Sequence, residues 1–129
     1  MDLDTIEAFN LGRRLSSVLP EEPAVTIITY EEQMRGWLAH IAQARTQTQQ
    51  IVVYQKLRRL VDRFSRITLL DYEVNAATRF EALRQAGIRI GSMDLKIAAI
   101  CLTNDATLLT RNSKDFGRVP GLKFEDWSA

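Results

Sequence analysis

Gly91-Ser92-Met93-Asp94-Leu95-Lys96-Ile97-Ala98-Ala99 is the stretch whose reading decides the fold. A turn glycine and Ser92, a candidate cap, lead into a helix that is apolar almost all round from Ile97 to Leu102. A helix without a polar face belongs in a core. Asp94 nevertheless stands in its first turn. A carboxylate at the head of a buried element is costly unless it is paired, capped or bound to a metal. In one reading it complements the helix dipole, worth ~0.3–1 kcal/mol. In the other it is a ligand. What stands at corresponding points elsewhere in the chain bears on the choice.

Around this helix, strands alternate with helices. Ala24-Val25-Thr26-Ile27-Ile28-Thr29 is a β-branched run, apolar enough for a strand buried on both faces. A helix opens after it and carries Glu31, Glu32, Met34, Trp37, Leu38, Ile41 and Ala42. Gln47 to Ser65 reads as another helix, with Val53, Leu57, Leu60, Val61 and Phe64 on one side. Its other side bears Lys56, Arg58, Arg59, Arg63 and, just beyond, Arg66. Ile67 to Leu70 is a short strand. Asp71 is placed to cap a helix that runs to about Ala86, turns Ala76, Phe80 and Leu83 inward and ends with Gly87 at its C′ position. Ala106 to Thr110 is a third strand. Asn112 to Phe116 is a loop or a single helical turn, and Leu122 to Trp127, after the Pro120-Gly121 turn, is an edge strand. Ahead of all these, residues 4–18 read as a helix with a rough stripe of Ile6, Phe9, Leu11, Leu15 and Val18. Pro20 and Pro23 bracket a turn. The alternation predicts an α/β fold, three-layered, with a mainly parallel central sheet flanked by helices.

The chain of 129 residues reads as one domain, 1–129, long enough for a sizeable core. Its formal charge of +1 does not announce a nucleic-acid binder. Cys101, the single cysteine, excludes an internal disulfide and lies within the apolar helix, where a packed thiol is the expectation. The acidic start, Met1-Asp2-Leu3-Asp4, is no signal peptide, and no apolar run approaches the ~20 residues of a membrane helix. A cytoplasmic protein is expected. His40 is the only histidine and has no cysteine beside it, so a zinc site is not expected. Trp37 lies on an apolar stripe and is assigned to packing.

In open α/β sheets, ligands bind beyond the carboxyl ends of the strands. Glu32 lies just past the strand ending at Thr29, Asp94 heads the helix after Ile90, and Asn112 and Asp115 follow the strand ending at Thr110. Separate excursions thus deliver oxygen ligands to one edge of the sheet. Clustered carboxylates repel one another, and a hard cation such as Mg²⁺ or Mn²⁺ relieves that repulsion while keeping waters and room for a phosphate. Such a site suits phosphodiester cleavage. Each acid has a plainer reading beside this one: Glu32 as a dipole partner, Asp115 as a loop cap. The arginines at 58, 59, 63 and 66 either follow RNA phosphates or form a solvated helix face.

Four segments in order carry a family resemblance. Thr26-Ile27-Ile28-Thr29-Tyr30-Glu31-Glu32-Gln33-Met34-Arg35-Gly36-Trp37 resembles the second-strand segment of PIN-domain proteins. Ile90 to Ala99 resembles the family's third-acid helix, and Leu108-Leu109-Thr110-Arg111-Asn112-Ser113-Lys114-Asp115-Phe116 its closing motif. Val119-Pro120-Gly121-Leu122 with Trp127 resembles the usual tail. The likeness covers roughly residues 20–129 and is nearest to the VapC-like ribonuclease toxins of type II toxin–antitoxin modules. It implies a Mg²⁺-dependent (or Mn²⁺-dependent) endoribonuclease with an RNA substrate, a cognate antitoxin protein and a homodimeric state. It also implies that Glu32, Asp94 and Asp115 are catalytic and metal-holding, with Asn112 a further metal ligand. Ser92, Thr110 and Arg111 become candidates for substrate contact, Ser92 and Thr110 doubling as caps.

The chain departs from the family at its start. Members begin with an apolar strand ending in Asp-Thr, whose Asp is a principal metal ligand. Here Asp4-Thr5 has only three residues before it. In one reading the strand is missing, through a shifted start or a deletion, and Asp4, with Glu7, opens the first helix. In the other, Asp4 is the first ligand on a degenerate strand. The first leads to an alternative function: an N-terminally truncated, catalytically weakened PIN-like protein that binds an antitoxin or another partner.

Overall fold

The computed structural model describes residues 16–18, 22–110 and 112–126. Asp4 and Arg111, residues 4–15 of the helix expected over 4–18, and Trp127 lie outside the described residues. The elements run β1 (Ser16–Val18), β2 (Glu22–Thr26), α1 (Ile27–Gln43), α2 (Gln47–Phe64), β3 (Thr68–Leu70), α3 (Val74–Gln85), α4 (Ser92–Thr103), β4 (Thr107–Thr110), α5 (Ser113–Phe116) and β5 (Lys123–Asp126).

The strands form one sheet in the order β3-β2-β1-β4-β5. β2 pairs with β3 in parallel, Val25 opposite Leu69, and β4 pairs with β5 in parallel, Leu108 opposite Phe124. Both flanks are therefore parallel, as expected of an α/β fold. β1 lies between them and runs antiparallel to both neighbours, Ser17 opposite Pro23 on one side and Thr107 on the other. Residues 16–18, expected to finish a helix, are this middle strand. Because β1 opposes both β2 and β4, those two point the same way, and all four flanking strands end at one edge.

Two cores sit on the two faces of the sheet, and β2 divides them by the alternation of its side chains. Ala24 packs with Leu70, Phe80, Leu83, Leu108 and the buried side of α4. Val25, the next residue, packs on the other face with Trp37, Leu60 and Phe64 of α1 and α2. The aromatic assigned to packing, Trp37, is thus a core residue. Tyr30 meets the ring of Phe64 edge-on at 4.7 Å, fastening α1 to α2. Val61 is 42% exposed and lies outside the buried side of α2.

The β-branched run after Ala24 does not continue as a strand. The strand ends at Thr26, whose hydroxyl accepts from the Thr29 N–H at 3.0 Å and caps α1. Satisfying an orphan donor of the first turn outweighs the strand preference of Ile27 and Ile28. At the start of α2, Thr46 and Gln49 form a reciprocal capping box. Asp71 does not cap α3; its N-cap is Glu73, without a side-chain bond. Gly87 does end it, at φ +83°, with Gly87 N–H donating to Arg84 O and Ile88 N–H to Leu83 O. That is the paired closure which favours glycine. β5 is the edge strand expected near the C-terminus. Among the described residues no helix is long and apolar enough to cross a membrane.

Candidate functional site at the carboxyl edge of the sheet

α4 is the buried helix expected. Leu95 and Ile97 to Cys101 are all within the core, and Ala98, Ala99, Ile100 and Cys101 have no exposed surface. Its cap is Gly91, without a side-chain bond, so Ser92 is the first helical residue rather than the cap. Asp94 stands half-buried in the first turn, where its charge complements the helix dipole. The helix packs against β2 and β4. Its C-terminus passes through a tight turn at Asp105 straight into β4. Its head therefore points back to the edge where β4 ends.

Glu32 reaches that edge on α1, which starts directly after β2 and packs against α4. It is exposed, and it lies in the second turn of the helix, because the strand ends at Thr26 and not at Thr29. The dipole-partner reading therefore lapses, since the first turn of α1 holds no acid. Its neighbour Glu31 pairs with Arg35 at 2.6 Å along the helix surface.

Beyond β4 the chain turns sharply. Thr110 Oγ1 accepts from the Asn112 N–H at 2.9 Å. Asn112 caps α5: its Oδ1 accepts from the Asp115 N–H at 3.4 Å, and its Nδ2 donates to Asp115 Oδ2 at 3.0 Å. Asn112 and Asp115 thus act together, the amide holding the carboxylate. The cap is therefore Asn112 and not Asp115, which supplies the N–H that the cap satisfies.

The topology brings the starts of α1, α4 and α5 to one edge. It does not close the acids into a cluster: among the described residues no group of three or more His, Cys, Asp or Glu side chains is placed to hold a metal ion. The donors that are present, carboxylates and a primary amide, are hard oxygen groups. Mg²⁺ commonly takes only one or two carboxylates, with waters and substrate phosphates completing its shell. The donor chemistry fits such an ion without a protein cage.

Cations with no motif in the sequence stand behind the head of α4. Arg84 on α3 has its guanidinium 5.6 Å above the ring of Phe80, and Arg118 Nη1 donates to the Arg89 carbonyl at 3.0 Å. Lys96 places its Nζ 5.6 Å from the Tyr72 ring and 5.8 Å from that of Phe80. Burial, assisted by the Glu81 carboxylate, pushes the Tyr72 phenol above its ordinary range. These residues come from separate elements, and no local motif links them. The arginines at 58, 59, 63 and 66 are exposed on and just after α2, Arg58 paired with Asp62 at 3.3 Å.

No family model matches the chain. Individual proteins do. It is 42% identical over 69 residues to the tRNA(fMet)-specific endonuclease VapC of Shigella flexneri, which covers 50% of this chain and 52% of that protein. The chain spans about half the length of this and other such relatives. A longer match is to ribonuclease VapC1 of Haemophilus influenzae strain R2866, 31% identical over 121 residues, 92% of this chain and 84% of the relative. In three dimensions the fold is similar to the 2.2 Å structure of VapBC-1 from nontypeable Haemophilus influenzae, with a TM-score of 0.67, 25% identity, and coverage of 88% of this chain and 81% of that one. With one such relative matched along nearly all of its length, the chain belongs to the VapC ribonuclease family.

Proposed function

We propose that this protein is an endoribonuclease toxin that hydrolyses RNA phosphodiester bonds at the carboxyl edge of its sheet, with Mg²⁺ or Mn²⁺ as cofactor. The observation that carries the reading is the long match, over 92% of this chain, to a protein named as a ribonuclease. Asp94 would hold the ion, with Glu32 and Asp115 as further carboxylates and Asn112 contributing its amide oxygen. Where the N-terminal strand is present in degenerate form, Asp4 would add to them. The ion would supply Lewis-acid stabilisation of the phosphate and the leaving oxygen. The chain's own part is to orient the phosphate and to hold Asp115 in place through Asn112 and Thr110. Arg111, Ser92 and Thr110 would contact substrate. In the balanced reaction, water adds to phosphorus, the ester P–O bond breaks, and the proton goes to the departing oxygen.

Structural neighbours are VapBC assemblies, so the partner proposed is a cognate VapB-type antitoxin. A homodimer acting in the cytoplasm completes the reading. Transfer RNA is the first substrate class to try, after the name of the Shigella relative.

One observation favours a second reading, that of a weakened nuclease retained for partner binding: the described acids do not gather in a group of three. Hydrolysis of tRNA and of generic RNA in Mg²⁺, comparing this chain with Asp94→Asn, separates the two. Cleavage lost in the variant supports the enzyme. Equal rates reject the metal mechanism, and no cleavage by either protein, with tight antitoxin binding, supports the partner-binding module.

A further inference from the structure

A cavity of about 500 Å³ opens between the C-terminal half of α3, the link before α4 and the first turn of α4. Its walls are apolar where Phe80, Ile90 and Leu95 line it, and Arg84, Arg89 and Ser92 supply its polar groups. None of its lining residues is acidic. Glu81 pairs with Arg84 at 3.6 Å, and that pair is exposed on both sides. Arg118 adds a third guanidinium through its bond to the Arg89 carbonyl. Apolar walls with cations and a hydroxyl beside them suit a nucleobase joined to a phosphate: the base covers the walls and the guanidinium groups take the anion. The volume falls within the range of sites for small ligands.

The position is as informative as the chemistry. Ser92 and Leu95 lie about one turn apart and face the cavity, whereas Asp94 leaves the helix about 100° round from Leu95. The cavity and Asp94 therefore share the head of α4, on adjacent sides of one helix less than its ~10 Å width apart. A strand whose cleaved phosphate lies at Asp94 passes over that head into the cavity.

We infer that this cavity is a subsite for a single-stranded RNA nucleotide flanking the cleaved bond, its phosphate held by Arg84 and Arg89; the inference rests on the ribonuclease reading. Affinity of a fluorescent single-stranded RNA oligonucleotide for the full chain, measured by anisotropy in EDTA across a salt series, tests it without requiring cleavage. Arg84→Ala/Arg89→Ala should weaken binding about tenfold and lower the salt slope by about 0.7, the share of the one phosphate that the two guanidinium groups neutralise. Both side chains are exposed, so the thermal midpoint should hold. Arg89→Glu alone should weaken binding further than Arg89→Ala. In Mg²⁺ the double variant should raise KM with kcat nearly unchanged. Unchanged affinity and slope overturn the subsite, as does an unchanged KM in a wild type that cleaves. If wild type binds RNA through these arginines but cleaves none, the ribonuclease reading fails and the subsite beside a cleaved bond falls with it, leaving a nucleotide-binding cavity alone. An acidic peptide that displaces the RNA, with the same dependence on Arg84 and Arg89, overturns the RNA assignment in favour of a protein ligand.

Discussion

Helices α4 and α1 both descend into the core from the same edge of the sheet, yet they treat polar groups in opposite ways. α4 keeps its interior apolar from Leu95 to Cys101 and places Asp94 at its head, half-buried. At its far end Thr103 Oγ1 donates to Ala99 O and Ile100 O, and Asn104 Nδ2 donates to Ile100 O at 2.8 Å. α1 instead buries a polar side chain in mid-helix. Gln33 is only 7% exposed, and neither its Nε2 nor its Oε1 has a hydrogen-bond partner among the described residues. A polar group at the rim of an apolar helix is available for chemistry; one sealed inside without partners is a stability cost. The contrast separates a carboxylate set at the rim of a buried helix from an amide sealed inside one.

The largest effect expected comes from removing the exception in α4. Asp94→Asn should reduce RNA cleavage by ~100-fold or more, since even groups that only support a metal's ligands are worth roughly 10–100-fold. Its cost in stability should stay near ~0.3–1 kcal/mol, the worth of an acid in a first turn. A denaturation midpoint measured beside the cleavage rate checks both. A large loss of stability with cleavage retained would make Asp94 a structural residue and erase the contrast with α1.

Next in size is the apolar interior of α4. Ile100 has no exposed surface, and Ile100→Ala should destabilise the protein by about 2–5 kcal/mol through lost transfer energy and the cavity left behind. Urea unfolding monitored by Trp37 fluorescence reads the change. A cost below ~1 kcal/mol would mean that the helix is less tightly packed than its burial indicates.

Much of α4 was legible because one signal decided it: an apolar run too uniform for a surface helix, bounded by turn residues. Leu95, Ile97 and Cys101 are buried as that signal required. α1 was misread by several residues because two local preferences compete there. Ile27 and Ile28 favour a strand by their branching, while Thr26 favours a helix start through its hydroxyl, and the hydrogen bond prevails. The antiparallel course of Ser16–Val18 was not legible at all, since strand direction depends on partners distant in sequence. At the candidate site, the places of Glu32, Asp94 and Asn112–Asp115 after successive strands led to the expectation that separate excursions reach one edge. Whether their oxygens converge depends on how the helices tilt, which no spacing records. The arginines behind α4 were missed for a related reason, as Arg84, Arg89 and Arg118 belong to separate segments.

Bringing α1 up to the standard of α4 is the third test. Gln33→Leu keeps the side chain close in size and removes two buried polar atoms that lack partners. An unsatisfied buried group costs about 1–3 kcal/mol, so the variant should be more stable by an amount in that range. A raised urea midpoint with an unchanged slope is the expected result. A loss of stability would show that the amide has a partner in solution, and α1 would then resemble α4 after all.

The smallest effect concerns how α3 and α4 end. Both close with the same paired bonds and a residue of positive φ. For α3 it is Gly87 at +83°, and for α4 it is Asp105 at +51°. Glycine meets no steric penalty there, whereas Asp is tolerated at a cost. Asp105→Gly should therefore stabilise the turn into β4, but it also removes the 2.7 Å bridge to Lys123. That bridge is exposed on both sides, so it contributes little and is screened by salt. The two terms oppose each other, and the net gain should be ~0.5 kcal/mol or less at low salt, rising as salt removes the bridge from the comparison. Asp105→Asn separates them, because Asn also tolerates positive φ but carries no charge. If Asn matches wild type in high salt while Gly exceeds both, backbone conformation sets the difference between the two helix ends. If Gly falls below both at every salt concentration, the Asp105 side chain holds the turn through more than its charge.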